Sequence, residues 1–312
     1  MQRLIKEEIS FEVKASEASQ RIDTFLVGKL IHRFSRTSLK KLIQDGFVLV
    51  NNQKPKAHYQ IKADDLIILK LPQPAKSGLE AEDIPLDIVY EDDDLLVVNK
   101  PSGLVTHPAL GNLTGTLVNA LLHHCRELSS INMLRPGIVH RLDKDTSGLM
   151  VVAKKNSVHL ELTKQFADHS VKRRYIALVL GTVVHDEGFI DLPIGRDRRN
   201  RKQMAVRFFA ARPSQTRYKV LERFSDFSLV ELAPATGRTH QLRVHLKFIG
   251  HPILGDKKYG RNSKIVIHRL ALHAKTLGFF HPSKKKFLEF DSQLPDEFNQ
   301  VMQMYAKMKQ KT

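Results

Sequence analysis

The residues best able to do chemistry crowd into GIVHRLDKDTSGLMVVAKK, residues 137–155. Apolar Ile138 and Val139 lead into His140, Arg141, Asp143, Lys144, Asp145, Thr146 and Ser147, and an apolar run resumes at Leu149. Charges set between two buried-looking runs are costly unless they are paired, so this loop is a candidate site. His140, Asp143 and Asp145 could be metal ligands, but HxxDxD is a weak ligand pattern. A glycosidase pair needs two carboxylates facing each other across a bond, and residues two apart are too close or differently directed for that. Ser147 lacks the glycine two residues before it that a nucleophile elbow requires. The plainer reading of the spacing is a turn capped by Asp143 or Asp145.

Two further concentrations are basic. In ATGRTHQLRVHLKFIGHPILGDKKYG, residues 235–260, a helix capped by Thr239 would place His240, Arg243 and Lys247 on one face and Leu242, Leu246 and Ile249 on the other. Arg238 would stand at its start, where free backbone amides favour anions. Taken alone, that face reads as solvated. Residues 196–212 hold seven Arg or Lys against one Asp and read as an exposed hairpin or loop suited to phosphate contact.

The elements around these groups alternate irregularly. Strands are expected at LDIVYED, DLLVVNK, GLMVVAKK, RRYIALVLG, TRYKVLERF and FSLVELAP, with helices near TGTLVNALLHH and from Ser157 to about Asp168. Strands and helices do not strictly take turns, which favours an α+β fold with a mixed, largely antiparallel sheet over a doubly wound one. The proline-bearing LPQPAKSGLEAEDIP reads as a linker between a small unit at 19–80 and a larger one at 85–305. In the small unit, Ser19 would cap a helix running to about Lys29, and Ser35 one over RTSLKKLIQDG. There Leu39, Leu42 and Ile43 form an apolar stripe, Arg36, Lys40 and Lys41 stay off it, and Gly46 closes it. Short strands follow at FVLV and DLIILKL. A basic second helix followed by strands suits RNA binding as well as it suits a solvated face.

Composition supports a polyanion as partner. Over 312 residues, 50 Lys and Arg oppose 33 Asp and Glu, a net charge of +17. Residues 1–80 carry +5, residues 81–100 carry −6, and the rest carry +18. The single cysteine, Cys125, excludes an intrachain disulfide and a multi-cysteine zinc site and suits a reducing compartment. The N-terminus lacks the apolar core of a signal peptide. The longest apolar run, Tyr175 to Val184, falls well short of the ~20 residues a membrane span needs. These features point to a cytoplasmic protein with no membrane partner.

HRLDKDTSGLMVVAK resembles the signature of the RluA-type pseudouridine synthases, and other pieces agree in order: NKPSGLVTHP at 99–108, RRYIALVLG at 173–181, ATGRTHQLRVH at 235–245, GHPILGDKKYG at 250–260 and HRLALHAKTLGFFHP at 268–282. The resemblance spans roughly 85–295. The first unit is similar to the small RNA-binding module of a ribosomal protein, with Asn51-Asn52 where an Asn-Gly turn is usual.

The resemblance implies isomerisation of uridine to pseudouridine in RNA with no cofactor. Large-subunit ribosomal RNA is favoured, transfer RNA or a non-catalytic ribosome-assembly role is the alternative, and no obligatory protein partner is implied. Asp143 would be the essential carboxylate, acting as nucleophile towards ribose or uracil or assisting elimination. Asp145 competes less well for the role. Arg141 would brace the space left by a flipped base, Tyr175 would stack on uracil or help with the carbon-5 proton, and Arg238 would pair with Asp143 and orient it. His140, Thr239 and Leu270 would support the cleft. Lys100, His107, Pro108, His273 and Ala274 read as scaffold.

Overall fold

The computed structural model describes residues 5–309 apart from 31, 32, 35, 57, 73–78 and 110. In the first unit, strands β1 (Ile5–Glu12), β2 (Val48–Val50) and β3 (Leu66–Pro72) form an antiparallel sheet in the order β1-β3-β2. Helices α1 (Ile22–Leu30) and α2 (Arg36–Gln44) belong to the same unit. Its core joins Ile22, Phe25, Leu26, Leu39 and Ile43 to Val48, Ile67 and Leu69. Arg36, Lys40 and Lys41 stay exposed, as the apolar stripe required.

Three local expectations meet the structure differently. Ser19 is no helix cap: it sits at φ 67° with its amide on the Ile61 carbonyl, and α1 starts three residues later. Strand β1 lies ahead of the unit read from the sequence. Its alternation of charged and apolar residues suits a sheet with one wet face. Ser35 lies outside the described residues. The Asn51-Asn52 turn closes tightly: both residues have positive φ, 49° and 65°, and Val50 and Gln53 exchange two backbone hydrogen bonds. Asparagine tolerates that conformation, so the missing glycine does not cost the hairpin.

The second unit is an α+β body. Its strands are β4 (Ile88–Glu91), β5 (Leu95–Lys100), β6 (Ser147–Ala153), β7 (Lys172–Leu180), β8 (Glu187–Asp191), β9 (Ile194–Arg196), β10 (Met204–Val206), β11 (Gln215–Arg223), β12 (Phe227–Pro234), β13 (Leu272–Phe280) and β14 (Phe287–Asp291). The helices are α3 (Leu117–His124), α4 (Asn156–Ala167), α5 (Gln241–Phe248) and α6 (Asp296–Lys309). The main sheet runs β4-β5-β6-β13-β7-β12-β11-β8, with β14 also on β13, and every pairing is antiparallel except β6 with β13. Strands β9 and β10 form a separate hairpin.

Strand β6 is buried along its whole length and splits the core by its two-residue period. Met150 and Val152 pack with Leu117, Val118 and Leu121 of α3, whereas Leu149, Val151 and Ala153 pack with Val158 and Leu162 of α4. Each large side chain so enclosed stabilises the fold by roughly 1.5–3 kcal/mol, which holds the start of β6 rigid. That start is where the polar loop emerges. Among the described residues, no helix is long and apolar enough to cross a membrane.

Candidate active site

The polar loop ahead of β6 is held by its backbone, and its side chains are left to face a cleft. The buried Lys100 Nζ donates to the carbonyls of Pro101, Leu104 and Lys144 at 2.7, 2.8 and 3.1 Å. Burial pushes this lysine down to about 7. Ser102 Oγ donates to the Asp145 carbonyl at 2.7 Å, Thr106 Oγ1 to that of Leu142 at 2.9 Å, and the Gly103 amide to Lys144 at 2.9 Å. The scaffold reading of Lys100 thus acquires a mechanism: segment 100–106 satisfies the carbonyls of Leu142, Lys144 and Asp145.

A cleft of about 460 Å³ opens beside the loop. Its walls include Arg141 and Asp143 from the loop, Phe166 and Arg173, Tyr175 from β7, and residues 236–243 leading into α5. The side chain of Asp143 is 18% exposed. Its partner is Arg243, whose Nη1 donates to Asp143 Oδ2 at 3.1 Å. The same guanidinium holds Asp256 in a two-pronged grip, Nε to Oδ2 at 2.7 Å and Nη2 to Oδ1 at 2.8 Å. Burial by itself would lower the arginine's pKa, but the hydrogen bonds and charges of Asp256 and Asp143 outweigh it and raise it. Arg243 is therefore a permanent cation with two carboxylates on it.

This corrects the expectation for Arg238. Its Nε donates instead to the Pro213 carbonyl at 3.1 Å, although the residue still lines the cleft. The physical reason is where α5 begins. Thr239 does not cap it; the N-cap is His240, in the left-handed region at φ 56°. Arg243 consequently falls in the first turn and points inward at 6% exposure, not out on a solvated face. Gln241 organises that entry, its Oε1 accepting from the Arg238 amide at 3.0 Å and from Thr236 Oγ1 at 2.7 Å.

His240 also belongs to the site. Tyr259 Oη accepts from the Met204 amide at 2.8 Å and lies 2.7 Å from His240 Nδ1. Nδ1 and the hydroxyl share this hydrogen bond in the direction that the ring's tautomer sets, and the other ring nitrogen is Nε2. That Nε2 stands 3.8 Å from Asp143 Oδ2. Burial, opposed by Asp143 and assisted by Arg243, lowers the His240 pKa and keeps the ring neutral.

The remaining expected residues divide. Tyr175 is half-buried in the cleft wall, and burial raises its pKa, so it is a neutral phenol. Arg141 is exposed at the rim. His140 supports from behind, stacked on Phe166 at 4.4 Å and 22°, with Nε2 accepting from the Val151 amide at 3.1 Å. Leu270, 3% exposed, belongs to the core under the cleft. Sequence reasoning missed Arg173 altogether. Its guanidinium stands 5.7 Å from the Phe166 ring, and its buried Nε has no partner, so a donor is left over beside the cleft.

Four imidazoles near the loop and its supports are stored neutral. Burial lowers His107, His159 and His273 to about 4 and, with Arg173 adding to the effect, His140 to about 3. Unfolded histidine titrates near 6.5. Between these values the unfolded chain binds more protons, so stability falls as pH drops from about 6.5 towards 4. Each histidine costs on the order of 1 kcal/mol at pH 5. Thermal melts should therefore show a midpoint several degrees lower at pH 5 than at pH 7, and equal midpoints would contradict neutral burial.

Residues 94–248 match the model of a family described as RNA pseudouridylate synthase. A Bacillus subtilis (strain 168) protein named an uncharacterized RNA pseudouridine synthase is 46% identical over 301 residues, covering 96% of this chain and 99% of its own. A Zymomonas mobilis protein named ribosomal large subunit pseudouridine synthase D is 46% identical over 304 residues, covering 92% and 93%. Among solved structures, human RNA Pseudouridylate Synthase Domain Containing 1 aligns at a TM-score of 0.57 and 27% identity, over 72% of this chain and 96% of that one.

Proposed function

Since this chain belongs to the RNA pseudouridylate synthase family, we propose that it isomerises uridines of large-subunit ribosomal RNA through Asp143. The observation that carries the reading is the ion pair between Asp143 and Arg243 at 3.1 Å in the wall of the cleft. The reaction breaks the bond from ribose carbon 1′ to uracil N1 and makes one to carbon 5. Carbon 5 loses its proton and N1 gains one, so no electrons or groups enter from outside. One carboxylate can begin this by attacking ribose or uracil, or by accepting a proton in an elimination. Each route needs the carboxylate aimed, and the Arg243 Nη1 contact at 3.1 Å fixes its direction.

The target base must leave its stack to reach the cleft. Arg141 at the rim has the planar, five-donor head that can brace the vacated position. Tyr175 offers a face for the uracil. Arg238 and the unpaired Nε of Arg173 are donors for phosphate or base oxygens. The exposed Arg36, Lys40 and Lys41 on α2 make the small unit a second RNA contact. One observation favours the ribosomal target: a relative that matches over nearly its whole length carries a large-subunit name.

Carbodiimide-dependent primer-extension stops, mapped in ribosomal and transfer RNA with and without the gene, test the target. Loss of at least one stop in large-subunit RNA is expected. Loss confined to transfer RNA would overturn the choice of substrate.

A further inference from the structure

After β10 the chain doubles back along the other edge of β9. Ile194 and Arg212 exchange two backbone hydrogen bonds, at 2.9 and 3.0 Å, and residues 207–211 form the tip between them. This tip is pinned. The Arg207 amide donates to Pro193 at 2.9 Å, and its Nη1 donates to the Arg196 carbonyl at 2.9 Å. Ala210 is held at φ 51°, with its carbonyl so near Gly195 that a Cβ there would come within 2.9 Å of it. On this fixed turn stand Phe208 and Phe209, exposed by 74% and 78%.

Two adjacent phenylalanines held in water forgo about 1.5–3 kcal/mol each of burial, and a pinned turn cannot fold them inward. Their surroundings say what covers them. Residues 196–212 carry seven Arg or Lys and one Asp. Among the described residues, Arg198, Arg199, Lys202 and Arg212 form no salt bridge. An apolar protein surface would have to strip water from these cations. A single-stranded nucleic acid brings phosphates for the cations and flat bases for the rings.

We propose that Phe208 and Phe209 are a stacking platform for unpaired bases of the substrate RNA, with Arg212 of the same turn and Arg198, Arg199 and Lys202 of the hairpin's other end on its phosphates. This rests on RNA being the substrate. The platform is coupled to the catalytic groups through packing. Ile194, Met204 and Val206 of the hairpin pack with Val244 of α5 and with Tyr259, whose hydroxyl ties the Met204 amide to His240. A base held on the tip thereby fixes the register of the strand relative to Asp143.

The test compares the full chain with its F208A/F209A and F208W/F209W variants in binding in-vitro-transcribed large-subunit ribosomal RNA across a salt series. Stacking contributes about 1–3 kcal/mol per base, so the alanine variant should bind about 10- to 100-fold more weakly. The slope of affinity against salt should not change, because rings release no counterions. The tryptophan variant should bind like the wild type. Wild-type affinity in the alanine variant would overturn the platform, as would a wild-type dimer that the alanines dissociate without loss of RNA affinity. Tritium release by the wild type on the same transcript tests the underlying reading separately. A wild type that binds but releases nothing indicts the substrate, whereas normal release with undiminished binding by the alanine variant indicts only the platform.

Discussion

Asp143→Asn should abolish tritium release from carbon-5-labelled uridine in RNA, a loss of at least about 10⁴-fold, while RNA binding persists. The substitution is nearly isosteric, and the amide oxygen can still accept from Arg243 Nη1, now 3.1 Å from Asp143 Oδ2. The loop also keeps its shape, because its anchors are the carbonyls held by Lys100, Ser102 and Thr106 and not the carboxylate. What disappears is the negative charge and the lone pair that attack carbon or accept a proton. Release at the wild-type rate in this variant would remove Asp143 from the mechanism. Asp145 would then be the carboxylate to examine, since Ser102 binds its backbone and leaves its side chain at the exposed edge of the loop.

Arg243→Lys should cost about 10²-fold in turnover, and it should lower the thermal midpoint as well. The guanidinium serves three donors to two carboxylates in fixed directions, to Asp256 through Nε and Nη2 and to Asp143 through Nη1. An ammonium is a point charge that cannot reproduce that fork. Asp256 is 6% exposed, so it would win the competition for the remaining cation and Asp143 would lose its orientation. Arg243→Met goes further, leaving a buried carboxylate without a counter-charge at a cost of about 3–5 kcal/mol. Turnover measured at saturating RNA, together with a melting curve, separates the two losses. A lysine variant with wild-type turnover would show that the pairing is incidental.

Much of this was legible in the sequence because it rests on local pattern. The continuous apolar run of GLMVVAKK and the apolar run in TGTLVNALLHH gave β6 and α3 directly, and Thr116 caps α3 through the Asn119 amide at 3.4 Å. The polar loop was conspicuous for the charges it interposes between buried runs. The arginine that pairs with Asp143 was harder, because Arg238 and Arg243 stand five residues apart in one motif and either can follow a helix start. A single non-glycine residue in the left-handed region, His240, decides between them, and no periodicity reports that. Asp256 was the available clue: a carboxylate in GHPILGDKKYG needs a cation, and its fork geometry selects an arginine. Arg173 left no such trace, since an orphaned Nε is a property of the packed state alone.

The place of β13 has a consequence for how the two sides of the site are joined. Asp143 and Arg243 are 100 residues apart. The strand order sets Asp143's loop, ahead of β6, on one side of β13, and β7 and β12, which lead to Arg243, on the other. Strand β13 spans Leu272–Phe280, so it follows both residues in the chain. Without β13, β6 and β7 would each keep an unpaired edge, in two separate half-sheets. Strand β13 is therefore the connection within the sheet between the strand that carries the carboxylate's loop and the strands that lead to the arginine.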